Sequence, residues 1–164
     1  YFNEDRPGGY MPPVIETFQT IGLAKVSKSA AEAKDLLFLR KTDGVTMNRK
    51  RLLSDAKKKA LSLVKGYKPP SSEEVISLPG EAGKIALSMA TNEMKRAGKI
   101  SDHDVLVSKI LAEIICGGET DITESVNEKD LLNLERTSIL KLFREPLTLD
   151  RIEHMLQTGK PLRN

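Results

Sequence analysis

The sequence predicts an all-α fold, and three observations carry that expectation. Apolar residues recur at helical spacing in most segments, capping residues and glycines punctuate those segments at both ends, and strand-like alternation is confined to one short piece. Taken in order, Val14, Phe18 and Ile21 give the first helical stripe. Ser29 with Glu32 forms a capping box ahead of a short helix ending near Leu37, and a turn follows at Asp43 and Gly44. Over Asn48 to Lys65, Leu52, Leu53, Ala56, Ala60, Leu63 and Val64 fall within an arc of about 120° at 100° per residue. Gly66 ends this helix.

Residues 67–80 hold Pro69, Pro70, Ser71, Ser72, Pro79 and Gly80, with Val75, Ile76 and Leu78 as a possible extended piece. This stretch reads as a linker between a part at 1–66 and a C-terminal part at 81–164. The second part reads as helices over roughly 81–97, 102–116, 128–144 and 149–158. Gly98 stops the first of them, and Ser101 with Asp104 caps the second. Gly117 and Gly118 stop the second, Ser125 or Asn127 caps the third, and Pro146 and Thr148 open the last. The 102–116 helix is apolar almost all the way round, so it belongs at the centre of a small four-helix bundle.

Composition excludes several classes. The 164 residues are 39% hydrophobic and 30% charged, as in one soluble domain or two small ones, and a chain of this size buries roughly 70% of its unfolded surface. No apolar run approaches the ~20 residues of a spanning helix, and no leader-like segment opens the chain, so neither export nor membrane insertion is expected. A single cysteine, Cys116, cannot close an internal disulfide and suits a cytoplasmic location. The chain opens on Tyr1 in a Pro/Gly-rich stretch, which reads as a loop entered from a longer polypeptide.

Charge is segregated rather than large. The 26 basic and 23 acidic residues leave +3, but Arg49, Lys50, Arg51, Lys57, Lys58 and Lys59 cluster against Asp55 alone. Glu119, Asp121, Glu124, Glu128, Asp130 and Glu135 cluster against Lys129. On the 48–65 helix Lys50, Arg51, Lys57, Lys58 and Lys65 lie opposite the apolar stripe, a strip able to meet phosphates. No aromatic residue interleaves with them, so base stacking is unsupported and a solvated helix face is the simpler reading.

Glu135 projects into the expected apolar stripe of its helix, between Leu142 on one side and Ile139 and Leu132 on the other. The expectation is therefore a buried structural carboxylate paired with Arg136, Arg151, Arg163 or a loop N–H. His103 stands between Asp102 and Asp104 at a helix start, where capping is the simpler role, and His154 projects to a polar side; no metal site is expected. Cys116, at the end of the apolar helix, reads as a small buried hydrophobe. Gly80 to Lys84 departs from a phosphate loop at Leu78 and Ile85, and no known catalytic motif occurs, so no catalytic residue is expected.

Longer stretches add a resemblance. Phe18 to Leu39, FQTIGLAKVSKSAAEAKDLLFL, the following RKTDGVTMNRKRLLSDAKKKAL and GYKPP at 66–70 resemble bacterial 3-hydroxyacyl-CoA dehydrogenase/enoyl-CoA hydratase fusion enzymes of fatty-acid β-oxidation. So do LLNLERTSILKLF at 131–143 and RIEHMLQTGKPLRN at 151–164. The resemblance implies a helical crotonase-type tail of the hydratase-like region at 1–66, followed by the C-terminal four-helix domain. It implies a parent enzyme that oxidises 3-hydroxyacyl-CoA with NAD, while this fragment holds no cofactor and is structural and non-catalytic. Its partners would be the parent's own upstream domains, the acyl-CoA substrate, whose CoA phosphates Lys57, Lys58 and Lys59 could approach, and a second copy in a homo-oligomer. The alternative is a stand-alone helical binding module that uses the basic face for nucleic acid or an acidic partner; the leading reading expects no nucleic acid.

Overall fold

The computed structural model describes Gly9, residues 11–69 and residues 75–164. It is an all-α fold with one short ribbon: α1 (Met11–Gly22), α2 (Ala30–Asp35), a 3-10 turn at Arg49–Arg51, α3 (Leu52–Val64), β1 (Val75–Ser77), α4 (Gly80–Arg96), α5 (Asp102–Ile115), β2 (Ser125–Asn127), α6 (Glu128–Leu142) and α7 (Pro146–Thr158). Residues 70–74 of the expected 67–80 linker, and nearly all of residues 1–10, lie outside the described residues. Two compact units emerge: Tyr1–Leu23 with Ser72–Asn164, and Ala24–Ser71.

In the larger unit α5 is the hub, packed by α1, α4 and α6; this corrects the expected four-helix bundle of residues 81–164, because α1 joins the packing around α5 and α7 shares no extended interface with it. Its apolar circumference demands this: along α5 only Asp102 and Lys109 are exposed. Val14 of α1, Leu87 of α4, Ala112 of α5 and Cys116 just after it form the buried cluster, with Phe18 and Ile115 packed against them. The first helix therefore shares a core with helices more than sixty residues further along the chain. Ala112, 1% exposed, is among the most deeply covered residues of this cluster.

Caps fix where the helices begin. The Ser101 hydroxyl accepts from the Asp104 N–H at 3.1 Å while the Asp104 carboxylate accepts from the Ser101 N–H at 2.9 Å. Asn127 and Asp130 repeat the exchange at 3.0 and 3.2 Å. The extended piece at 75–77 pairs antiparallel with 125–127, Ile76 opposite Val126. Residues 125–127 thus serve as both strand and cap, a pairing that sequence reading, which assigned them to capping alone, did not anticipate.

The start of α4 is the tightest joint. The Gly80 N–H donates to the Cys116 carbonyl at 3.0 Å and the Glu81 N–H to the Thr120 carbonyl at 3.3 Å. At Gly80, with φ +55°, a Cβ would sit 2.0 Å from the Thr120 carbonyl oxygen; at Gly83 it would sit 2.5 Å from the Pro79 ring and 2.9 Å from Cys116 Sγ. These first N–H groups of α4 are taken by carbonyls, which is a second reason the Gly80–Lys84 stretch is a helix start and no phosphate cradle.

In the smaller unit the Ser29 hydroxyl caps α2 by accepting from the Glu32 N–H at 3.1 Å. Here the Glu32 carboxylate reaches back to the Lys28 N–H at 2.6 Å, one residue earlier than a standard capping box. Asn48 caps the 3-10 turn that leads into α3. Ala33 is the buried residue of α2, and α3 has none: Leu52, Leu53, Leu63 and Val64 are 54, 82, 55 and 69% exposed.

Gly80→Ala is expected to destabilise the chain by at least about 2 kcal/mol, because the clash is with backbone at a left-handed φ. Gly83→Ala is expected to cost less, since it meets side chains. Urea unfolding midpoints test the ranking; an unchanged midpoint for Gly80→Ala would refute the tight joint.

Candidate functional site

Each residue singled out by its sequence context has a definite place. Lys57, Lys58 and Lys59 lie on α3 with exposed side chains and, among the described residues, no carboxylate partner. Three consecutive helical residues fan across roughly 200°, so they reach a common anion only by bending long side chains toward it. Arg51 of the same basic strip is drawn to Asp55 at 3.5 Å, and Asp55 also accepts from the Thr46 hydroxyl at 3.1 Å. The single acid of the cluster thus quenches one end of the strip and leaves the triple-lysine end positive.

Glu135 is a correction: its side chain is exposed, not buried. The covered face of α6 is made by half-buried Leu131, Leu134 and Leu142 with buried Ser138, one position round from the expected stripe of Leu132, Glu135 and Ile139. The Asn127–Asp130 capping box, entered straight from β2, sets the rotation of α6. Ser138, 1% exposed, occupies the contact position, where a small residue allows a close approach. Its hydroxyl has no hydrogen-bond partner. Leu132 and Ile139 are left in solvent at 56 and 41% exposure.

His103 also departs from expectation. It is 4% exposed, and its Nε2 lies 3.0 Å from the Thr148 hydroxyl of α7. The capping is done by Ser101 and Asp104, while the imidazole faces inward and connects α5 to α7. Beside it lies a polar cluster centred on Arg151. Arg151 Nη1 stands 2.8 Å from Asp104 Oδ1, Nη2 approaches Ser101 Oγ at 3.4 Å, and Nε donates to Asn164 Oδ1 at 2.7 Å. Nη2 also reaches the Asn164 carbonyl at 3.2 Å, and the Asn164 amide donates to the Leu147 carbonyl at 3.1 Å. The Ser101–Asp104 cap was legible from spacing; its arginine, nearly fifty residues away, carried no local signal.

Burial by itself would raise the Asp104 pKa, but the Ser101 N–H and the Arg151 guanidinium outweigh it and hold the carboxyl below its ordinary 3.8. Burial pushes the Cys116 thiol up to about 11, so at neutral pH it is a protonated, fully covered core group. Asp121 is lowered by accepting from the Thr123 hydroxyl and N–H, each at 2.6 Å, in a surface turn.

The chain also presents an open groove lined by Gly117, Gly118, Thr123, Glu124, Asp130 and Leu134. Carboxylates at its rim make it a poor receptor for phosphates. Among the described residues no three His, Cys, Asp or Glu side chains are placed to hold a metal ion, and no helix is long and apolar enough to cross a membrane. The geometry therefore offers a basic surface on α3 and a polar clamp between α5 and α7.

Because Asp104 titrates lower in the folded chain than in the unfolded one, its contribution is full above about pH 4 and fades as pH falls through the folded value. Asp104→Asn is expected to lose roughly 1–2 kcal/mol at neutral pH, with the difference from wild type vanishing in acid. Urea titrations at a series of pH values test this; a pH-independent difference would contradict it.

No family model matches the chain, and no solved structure matches it. Over 166 aligned positions it is 43% identical to a protein of Bacillus subtilis (strain 168) named "Probable 3-hydroxyacyl-CoA dehydrogenase". That similarity covers 100% of this chain and 21% of the relative, so the chain spans about a fifth of the length of the protein it resembles.

Proposed function

We propose that the chain is a C-terminal, non-catalytic helical part of a 3-hydroxyacyl-CoA dehydrogenase that uses NAD, carries a hydratase-like region and serves fatty-acid β-oxidation in the cytoplasm. The observation that carries this reading is 43% identity sustained over the whole chain while occupying 21% of a relative with that name. A dinucleotide site of the parallel βαβ kind does not fit the described residues, whose two strands pair antiparallel. The reading therefore places NAD, and the groups that react, elsewhere in the longer polypeptide.

Within that polypeptide the α3 segment has its whole apolar stripe left to cover. Burying a Leu or Val side chain fully is worth about 1.5–3 kcal/mol, and α3 carries Leu52, Leu53, Leu63 and Val64 in solvent. The proposed tail lays this stripe on the upstream, crotonase-type region or on a second copy, and the opposite basic face then looks outward. There Lys57, Lys58 and Lys59 lie near the phosphates of bound acyl-CoA, whose several negative charges they attract without base readout.

Two measurements test the reading. The longer polypeptide is expected to form NADH from NAD and a 3-hydroxyacyl-CoA, and this chain alone is expected to form none; NADH production by the isolated chain would overturn the non-catalytic assignment. In the longer enzyme, replacing Lys57, Lys58 and Lys59 together by Ala is expected to raise KM for acyl-CoA several-fold at low salt, with the effect shrinking as salt screens the charges. An unchanged KM at low salt would remove the lysines from the site.

A further inference from the structure

Helix α7 is attached in an unusual way. A surface helix ordinarily turns its apolar stripe inward, yet Leu149, Ile152 and Leu156, which share one face at helical spacing, are 49, 38 and 82% exposed. The half-buried residues are Thr148, Arg151 and His154, all polar. No residue of α7 is buried, and the helix shares no extended packing interface with α4, α5 or α6. What ties it to the start of α5 is the Thr148–His103 contact and the Arg151 contacts to Asp104 and Ser101, while the two Arg151 contacts to Asn164 hold the returning segment against α7. Gly159, left-handed at φ +69°, ends the helix, and the chain beyond it returns to the first turn, where the Asn164 amide meets the Leu147 carbonyl.

We propose that α7 and residues 159–164 form a polar strap, closed over the N-terminal end of α5 by Arg151, which opens as a unit while the α1, α4, α5 and α6 core stays folded. Polar ties suit such a device. Opening exchanges protein hydrogen bonds for water hydrogen bonds and exposes little new apolar surface, so it is far less costly than separating α4 from α5. Opening uncovers His103 and frees the Ser101–Asp104 cap. It also detaches a helix whose apolar face already points away from the core. Arg151 is the positioning residue, because it alone joins α5, α7 and the returning segment.

Hydrogen exchange on the full chain at low denaturant tests the strap. In the wild type, amides of residues 150–158 are expected to exchange at least tenfold faster than those of α5, with little dependence on denaturant, since little surface is exposed by the opening. In Arg151→Ala the exchange of α7 is expected to speed up at least a further tenfold, while α4 and α5 are unchanged and His103 becomes more reactive toward an imidazole-modifying reagent. Arg151→Lys, which keeps the charge and loses the forked geometry, is expected to fall between the two. If α7 and α5 amides exchange together with the same steep denaturant dependence in the wild type, the strap is overturned, and this comparison needs no variant. Equal acceleration of α5 and α7 in Arg151→Ala, or no acceleration of either, would also overturn it.

Discussion

An apolar helix surface must be covered, and this one constraint separates α5 from α3. Along α5 it is met almost completely: α1, α4 and α6 surround the helix, and only Asp102 and Lys109 reach water freely. The consequences spread outward from there. Ala112 is almost fully covered, Cys116 closes the far end as a protonated core thiol, and the start of α4 is seated on the 116–120 loop through the Gly80 and Glu81 N–H groups. Gly80 and Gly83 are glycines because carbonyl, sulfur and proline ring occupy the space a Cβ would need. Along α3 the same constraint is left unmet, and every residue of its apolar stripe remains accessible.

That contrast shapes the functional reading. The proposed function has the exposed stripe of α3, in a chain that matches 21% of its relative, completed by neighbouring polypeptide. The proposal assigns the chemistry to that neighbour and gives this chain covering and anchoring roles. Its surfaces are consistent with such a division. The basic end of α3 suits an anionic substrate, the acid-lined groove near Gly117 and Gly118 does not, and the polar cluster around Arg151 is spent on holding α7.

Much of the fold was legible in the sequence because its signals are local. Capping boxes at Ser101 and Asn127, glycine stops at 98 and 117, and the wrap-around apolarity of 102–115 each depend on residues a few positions apart. The misreadings arose where a distant contact decides. Glu135 fell in the stripe predicted by periodicity, but α6 carries leucines at 131, 132, 134, 140 and 142, so apolar residues alone leave its rotation undetermined within about 100°. The small Ser138 and the anchored cap chose the neighbouring face. His103 looked like a capping residue because its neighbours are aspartates, yet Thr148 of α7 gives it an inward partner. The candidate lysines were legible as charge, and charge alone specifies no ligand geometry.

The central claim is that the stripe of α3 exists to be covered by the remainder of a longer enzyme. An experimental structure of that longer polypeptide, with the solvent exposure of Leu52, Leu53, Leu63 and Val64 read residue by residue, tests it most directly. The account predicts that all four fall into the buried class against upstream residues or a second copy. Four side chains still open to water in the intact enzyme would contradict it.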